Sequence, residues 1–109
     1  KARNESIIFN LLFAFTVSEL PEDEDQFGKL MKFCFDMLEK QVQRIAVKVY
    51  CLDILYKVTK REPGLKKELA LIINRHIPHS PIAFQSRGRK ILKKLEKETP
   101  GIDMNFDDE

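Results

Sequence analysis

The chain has 109 residues, 43% apolar and 33% charged, which is the size and balance of one small globular domain. No apolar run approaches the ~20 residues of a membrane-spanning helix, so no membrane partner is expected. The net charge of +2 hides a separation: residues 1–39 carry −4, residues 40–97 carry +11 with fifteen Lys/Arg against four Asp/Glu, and residues 98–109 carry −5 with no cation.

The start, Lys1-Ala2-Arg3-Asn4, has neither an initiator Met nor a signal-peptide pattern and reads as a cut end, so a fragment or trimmed domain is expected. A first helix is predicted over 3–19. Ile7, Leu11 and Ala14 share one side, but Ile8, Phe9, Leu12, Phe13 and Phe15 leave it no clean polar face. Pro21 stops it, and Glu22-Asp23-Glu24-Asp25 places negative charge where the dipole of the next helix favours it. That second helix, 24–40, is amphipathic. Phe27, Leu30, Met31, Cys34, Met37 and Leu38 form the apolar side, and Lys29, Lys32, Asp36 and Glu39 face water. The short link at Lys40-Gln41 predicts an antiparallel hairpin into the third helix.

The third helix, 42–60, is the organising element. Ile45, Val49, Leu52 and Tyr56 lie on one side, and Val47, Cys51, Leu55 and Val58 lie opposite or obliquely to it. Gln43, Ala46, Tyr50, Asp53, Lys57 and Lys60 form a narrow open stripe. A helix so widely apolar needs neighbours on several sides. Glu62-Pro63-Gly64 turns the chain into a fourth helix, 64–76, with Leu65, Leu69 and Ile72 on one side. Pro78 and Pro81 break it, and a fifth helix is predicted over 83–98. Its stripe is Phe84, Gly88, Ile91, Leu92 and Leu95, surrounded by Gln85, Arg87, Arg89, Lys90, Lys93, Lys94 and Lys97. Thr99-Pro100-Gly101 ends it. Residues 1–98 form the domain on this reading, and 99–109 form an acidic mobile tail in which Ile102, Met104 and Phe106 alternate as candidates to dock.

The third and fifth helices share a register at an offset of 37: Val47, Cys51, Leu55 and Val58 correspond to Phe84, Gly88, Leu92 and Leu95. The pattern resembles the second helix of a HEAT repeat, Val-Arg-x-x-Ala-x-x-x-Leu-x-x-Leu, with Lys48 and Gln85 for the Arg and Cys51 and Gly88 for the Ala. The resemblance covers most of residues 2–97. It implies an all-α solenoid fragment of five helices in about two and a half antiparallel repeats, with the second helices lining a concave side. The chain is also similar to the HEAT-like fold of DNA alkylation-repair glycosylases, although it has no Trp and nothing matching their catalytic acid.

His76 and His79 could supply two zinc ligands, but the cysteines lie far away in apolar faces, and helix-end and loop positions account for both histidines. Cys34 and Cys51 read as core residues, and two unpaired buried thiols suggest a reducing, cytoplasmic setting. Asp53 is placed for an ordinary ion pair with Lys57. The strongest surface signal is the cationic run of the fifth helix. With the stripe of the third it defines a candidate binding surface of Tyr50, Lys57, Lys60, Arg87, Arg89, Lys90, Lys93 and Lys97, with Tyr50 as its one ring for stacking. The leading expectation is a non-enzymatic module that binds a protein partner, with no cofactor and no metal. The alternatives are nucleic-acid binding and a helical fragment of a larger enzyme.

Overall fold

The computed structural model describes residues 2–40 and 44–99, with side chains from Ile7 onward. Five α-helices follow one another: α1 Ala2–Val17, α2 Glu24–Glu39, α3 Ile45–Arg61, α4 Lys66–His76 and α5 Ile82–Glu98. They form two antiparallel pairs, α2 with α3 and α4 with α5, preceded by the single helix α1. This is the all-α arrangement of two and a half helical repeats. Helices α1, α3 and α5 run parallel in one layer, and α2 and α4 cover its other face. Among the described residues, no helix is long and apolar enough to cross a membrane.

Local chemistry sets the boundaries. The Asp23 carboxylate accepts the Gln26 backbone N–H at 3.1 Å and caps α2, with Glu24 and Asp25 in its first turn. Helix α3 begins at Ile45, three residues later than its apolar period suggests. Val42 and Gln43 lie outside the described residues, as do residues 100–109 with the docking candidates Ile102, Met104 and Phe106. Pro63 starts a 3₁₀ turn, Pro63–Leu65, that leads into α4, and Ile77–His79 forms a second such turn around Pro78. Prolines therefore sit where a missing N–H costs no helix bond.

The core is centred on α3. Val47, Cys51, Leu52, Ile54, Leu55, Val58 and Thr59 are all buried, and α3 packs against each of the other helices. Thr59 satisfies its hydroxyl by donating to the Tyr56 carbonyl at 2.6 Å. The repeat is preserved in burial. Val47, Cys51 and Val58 are matched by buried Phe84, Gly88 and Leu95, and only Leu92 is half-buried where Leu55 is fully covered. A Cβ on Gly88 would lie 2.9 Å from Ile73 Cγ2, so α4 approaches α5 to within the space of a methyl group. Cys34 and Cys51 are unpaired and inaccessible. A hydrogen bond to Cys51, followed by burial, pushes the Cys34 thiol far up.

The two ends of the layer differ. Helix α1 buries Leu12 and turns Phe9 toward α3, but leaves Ile7 58% exposed and Leu11, beside a groove shared with α2, 54% exposed. The far side of α5 carries Ser86, Arg89 and Lys93, all exposed.

Candidate functional site

The eight surface residues divide into two groups by what they touch. On α3, Tyr50 is half-buried and stacks obliquely on Phe9 and Phe13 of α1, with ring centroids 5.1 and 5.7 Å apart. Its ring is thus part of the α1–α3 joint. The Lys57 ammonium donates to the carbonyls of Phe15 at 2.8 Å and Ser18 at 2.6 Å, closing the C-terminal end of α1. A cation there also meets the negative end of that helix dipole. Arg61 acts alongside it, donating to the Pro21 carbonyl at 2.6 Å while its guanidinium lies 3.7 Å from the Phe27 ring centroid. Replacing Lys57 by Met keeps the stem and removes both bonds. The expected result is a loss of about 1.5 kcal/mol in urea titrations with faster amide exchange in α1, while Lys57→Arg stays near wild type. Unchanged exchange in α1 would show that the helix end needs no such closure.

Lys60 is held by the end of α5. It donates to Glu98 Oε2 at 2.6 Å, Tyr56 donates to the same oxygen, and Lys66 lies 3.6 Å from Oε1 while donating to Thr99 Oγ1 at 3.1 Å. The Lys60 bond, then that of Tyr56, holds the Glu98 carboxyl below the usual range. The Glu98 bond raises the Lys60 ammonium, and burial, with Glu98 second, raises the Tyr56 phenol. This cluster pins α5 to the C-terminal end of α3 and the start of α4. Near the other end of α5, Arg87 pairs with Asp53 of α3, so Asp53 is bound across the helices to α5.

The remaining cations are unengaged. Among the described residues, Arg89, Lys90, Lys93 and Lys97 have no carboxylate partner. Arg89, Lys90 and Lys93 line one shallow groove of about 380 Å³ with Ile82, Gln85 and Ser86. Lys94 lies outside this groove, on the side of α5 toward α3, 5.3 Å from the Tyr56 ring centroid. Tyr50 and Lys57 therefore sit toward α1, while the free charge is gathered on α5, and the single strip drawn from the sequence is divided between two joints and one open helix.

One further cluster was not visible in the sequence. Glu39 at the end of α2 accepts from Arg75 at 2.6 Å and lies 3.3 Å from His76 Nε2, tying α2 to α4 across 36 residues of chain. No local signal marks such a pair, because the partners meet only after the two repeats stack. Among the described residues, no three His, Cys, Asp or Glu side chains are grouped to hold a metal ion.

No curated protein and no solved structure matches the chain. A family model described as a HEAT repeat domain matches residues 10–95, spanning both helical pairs and the second half of α1. By that match and by the stacked antiparallel pairs, the chain belongs to the HEAT-repeat family.

Proposed function

We propose that this chain is a non-enzymatic interaction module that binds an acidic surface of a protein partner through α5. HEAT-repeat folds generally act as protein-interaction scaffolds. The observation that carries the reading is the unpaired charge of Arg89, Lys90, Lys93 and Lys97 on one exposed helix, three of them around one groove. Such charges steer and orient an acidic partner without a large buried area. Arg87 serves from beneath, holding α5 to α3 through Asp53. Nucleic acid is the second reading, favoured by the same four cations. Against it, Tyr50 is packed on two rings, and Lys57 and Lys60 are engaged in helix joints.

The test is titration of a polyglutamate peptide and of a mixed-sequence DNA duplex at two salt concentrations. Polyglutamate is expected to bind at low salt. Arg89→Glu with Lys93→Glu is expected to weaken it about tenfold or more while leaving the melting temperature nearly unchanged. Tighter binding of the duplex, with a steep salt slope, would transfer the proposal to nucleic acid. Absence of both would remove α5 as a polyanion-binding face.

A further inference from the structure

Lys48 and the pair His76 and His79 take no part in the face on α5, yet the fold brings them together. They line a cavity of about 570 Å³ at the turn end of the two antiparallel pairs. Its walls come from the end of α2, the start of α3, the end of α4 and the turn that leads into α5. A cavity of this size suits a small molecule rather than a bare ion.

The charge around it is one-sided. Lys40, Lys48 and Arg75 stand against one carboxylate, Glu39. Glu39 is already engaged: it accepts from Arg75 at 2.6 Å and lies 3.3 Å from His76 Nε2. That bond uses one N–H of a guanidinium that has five in a planar fork, so Arg75 keeps others to offer. Among the described residues, Lys40 and Lys48 have no carboxylate partner. The repeat shows what is unusual about Lys48. Its equivalent on α5 is Gln85, whose side chain donates to the Ser80 carbonyl at 2.7 Å and closes the turn before its own helix. Lys48 makes no such bond among the described residues and stays half-buried on the cavity wall. Ser80 offers no hydroxyl proton, because it donates to the His76 carbonyl at 2.7 Å. Two helices begin at this wall, α3 at Ile45 and α5 after Pro81, and neither has a side-chain cap. The positive ends of their dipoles add to the cations.

We propose that this cavity binds a phosphate monoester, with the phosphate on Lys40, Lys48 and the free N–H groups of Arg75 and the organic part against Ile45 and Pro81. A phosphate ester carries close to two negative charges and three strong acceptor oxygens. It can take donors converging from α2, α3 and α4, whereas a carboxylate offers two oxygens in one plane. The imidazoles of His76 and His79 add donors, one N–H each when neutral and two when protonated. Glu39 acts as a positioning residue, holding Arg75 and His76 at the end of α4. The site lies apart from the outer flank of α5 and stands or falls independently of the acidic-partner reading.

The experiment titrates phenyl phosphate, benzoate and an alanine pentapeptide with a central phosphoserine into the 109-residue chain, following backbone amides by NMR. Phenyl phosphate is expected to shift Ile45, Lys48, His76 and His79 and to bind about tenfold or more tightly than benzoate. Lys40→Gln with Lys48→Gln is expected to weaken it about tenfold or more, with the melting temperature near wild type because neither lysine joins an ion pair. Arg89→Gln with Lys93→Gln on α5 is expected to change it by less than about threefold. Tighter binding of phenyl phosphate than of the peptide assigns a free small molecule as the ligand, and the reverse assigns a phosphorylated side chain. Shifts confined to Ser86, Arg89 and Lys93, unchanged affinity in the lysine variant, or benzoate binding as tightly as phenyl phosphate overturns the proposal. So does the absence of any shift.

Discussion

Gly88→Leu is expected to lower the melting temperature by about 15 °C, and Gly88→Ala by about 5 °C, although alanine is the better helix former. Glycine inside a helix forfeits up to about 1 kcal/mol relative to alanine, and filling the position would ordinarily recover it. Here the new Cβ meets Ile73 Cγ2 at 2.9 Å, with two further Ile77 carbons at 3.6 Å. The Ile73 atom is the branch methyl of a fully buried side chain, not the end of a mobile one. Relief therefore requires α4 to shift, and overpacking of this kind costs about 1–3 kcal/mol, more than the propensity gain. For a domain of this size 1 kcal/mol corresponds to about 4–8 °C. Leucine adds three more carbons in the same direction. Ile73→Leu removes the branch at nearly constant volume, so Gly88→Ala combined with Ile73→Leu is expected to recover most of the loss. Thermal melts of the two single mutants and the double close the cycle. A neutral Gly88→Leu would mean that α4 and α5 do not meet at this position.

The second large effect compares two positions that the repeat makes equivalent. Leu55→Ala is expected to cost about 2–5 kcal/mol, the range for a leucine deleted from a well-packed core. Leu92→Ala, at the same place in the pattern, is expected to cost about half as much. Leu55 is fully buried at the centre of α3, between two helical pairs, whereas Leu92 belongs to the last helix of the layer and keeps part of its surface in water. Transfer free energy scales with the area removed from water, and a rim site can collapse around a deletion more readily than a central one. Equal losses in denaturant titrations would indicate that α5 is covered as completely as α3.

The helical repeat was legible because its signals are local. The offset between Val47 and Phe84, the small residues Cys51 and Gly88, and the prolines at 63, 78 and 81 each act through neighbours one or two turns away. The apolar width of α3 likewise announced a helix with neighbours on several sides. The joints between helices were not legible. Lys57 lies on the open stripe of its own helix, yet its ammonium closes α1, 39 and 42 residues earlier in the chain. Asp53 has Lys57 one turn away, but its partner is Arg87. Tyr50 looked available for stacking because the wheel of α3 does not contain Phe9 and Phe13. In each case the partner is set by the separation and phase of two parallel helices, which periodicity within either one does not specify. What could be read of the surface was its charge density, and the largest group of cations without a carboxylate partner among the described residues lies on α5, where the cationic run is strongest.

The unlike ends of the parallel layer bear on how copies of this domain meet. Stacking one copy onto another in the same direction would bring Arg89 and Lys93 of α5 toward the exposed apolar side of the next α1, which includes Ile7. Cations that lose water against apolar side chains incur a desolvation penalty of several kcal/mol per ion. Head-to-tail contacts that do not close are the route by which a repeated surface grows into a filament. Within these residues the apolar edge on α1 and the charged edge on α5 do not match, which opposes stacking of copies in that direction.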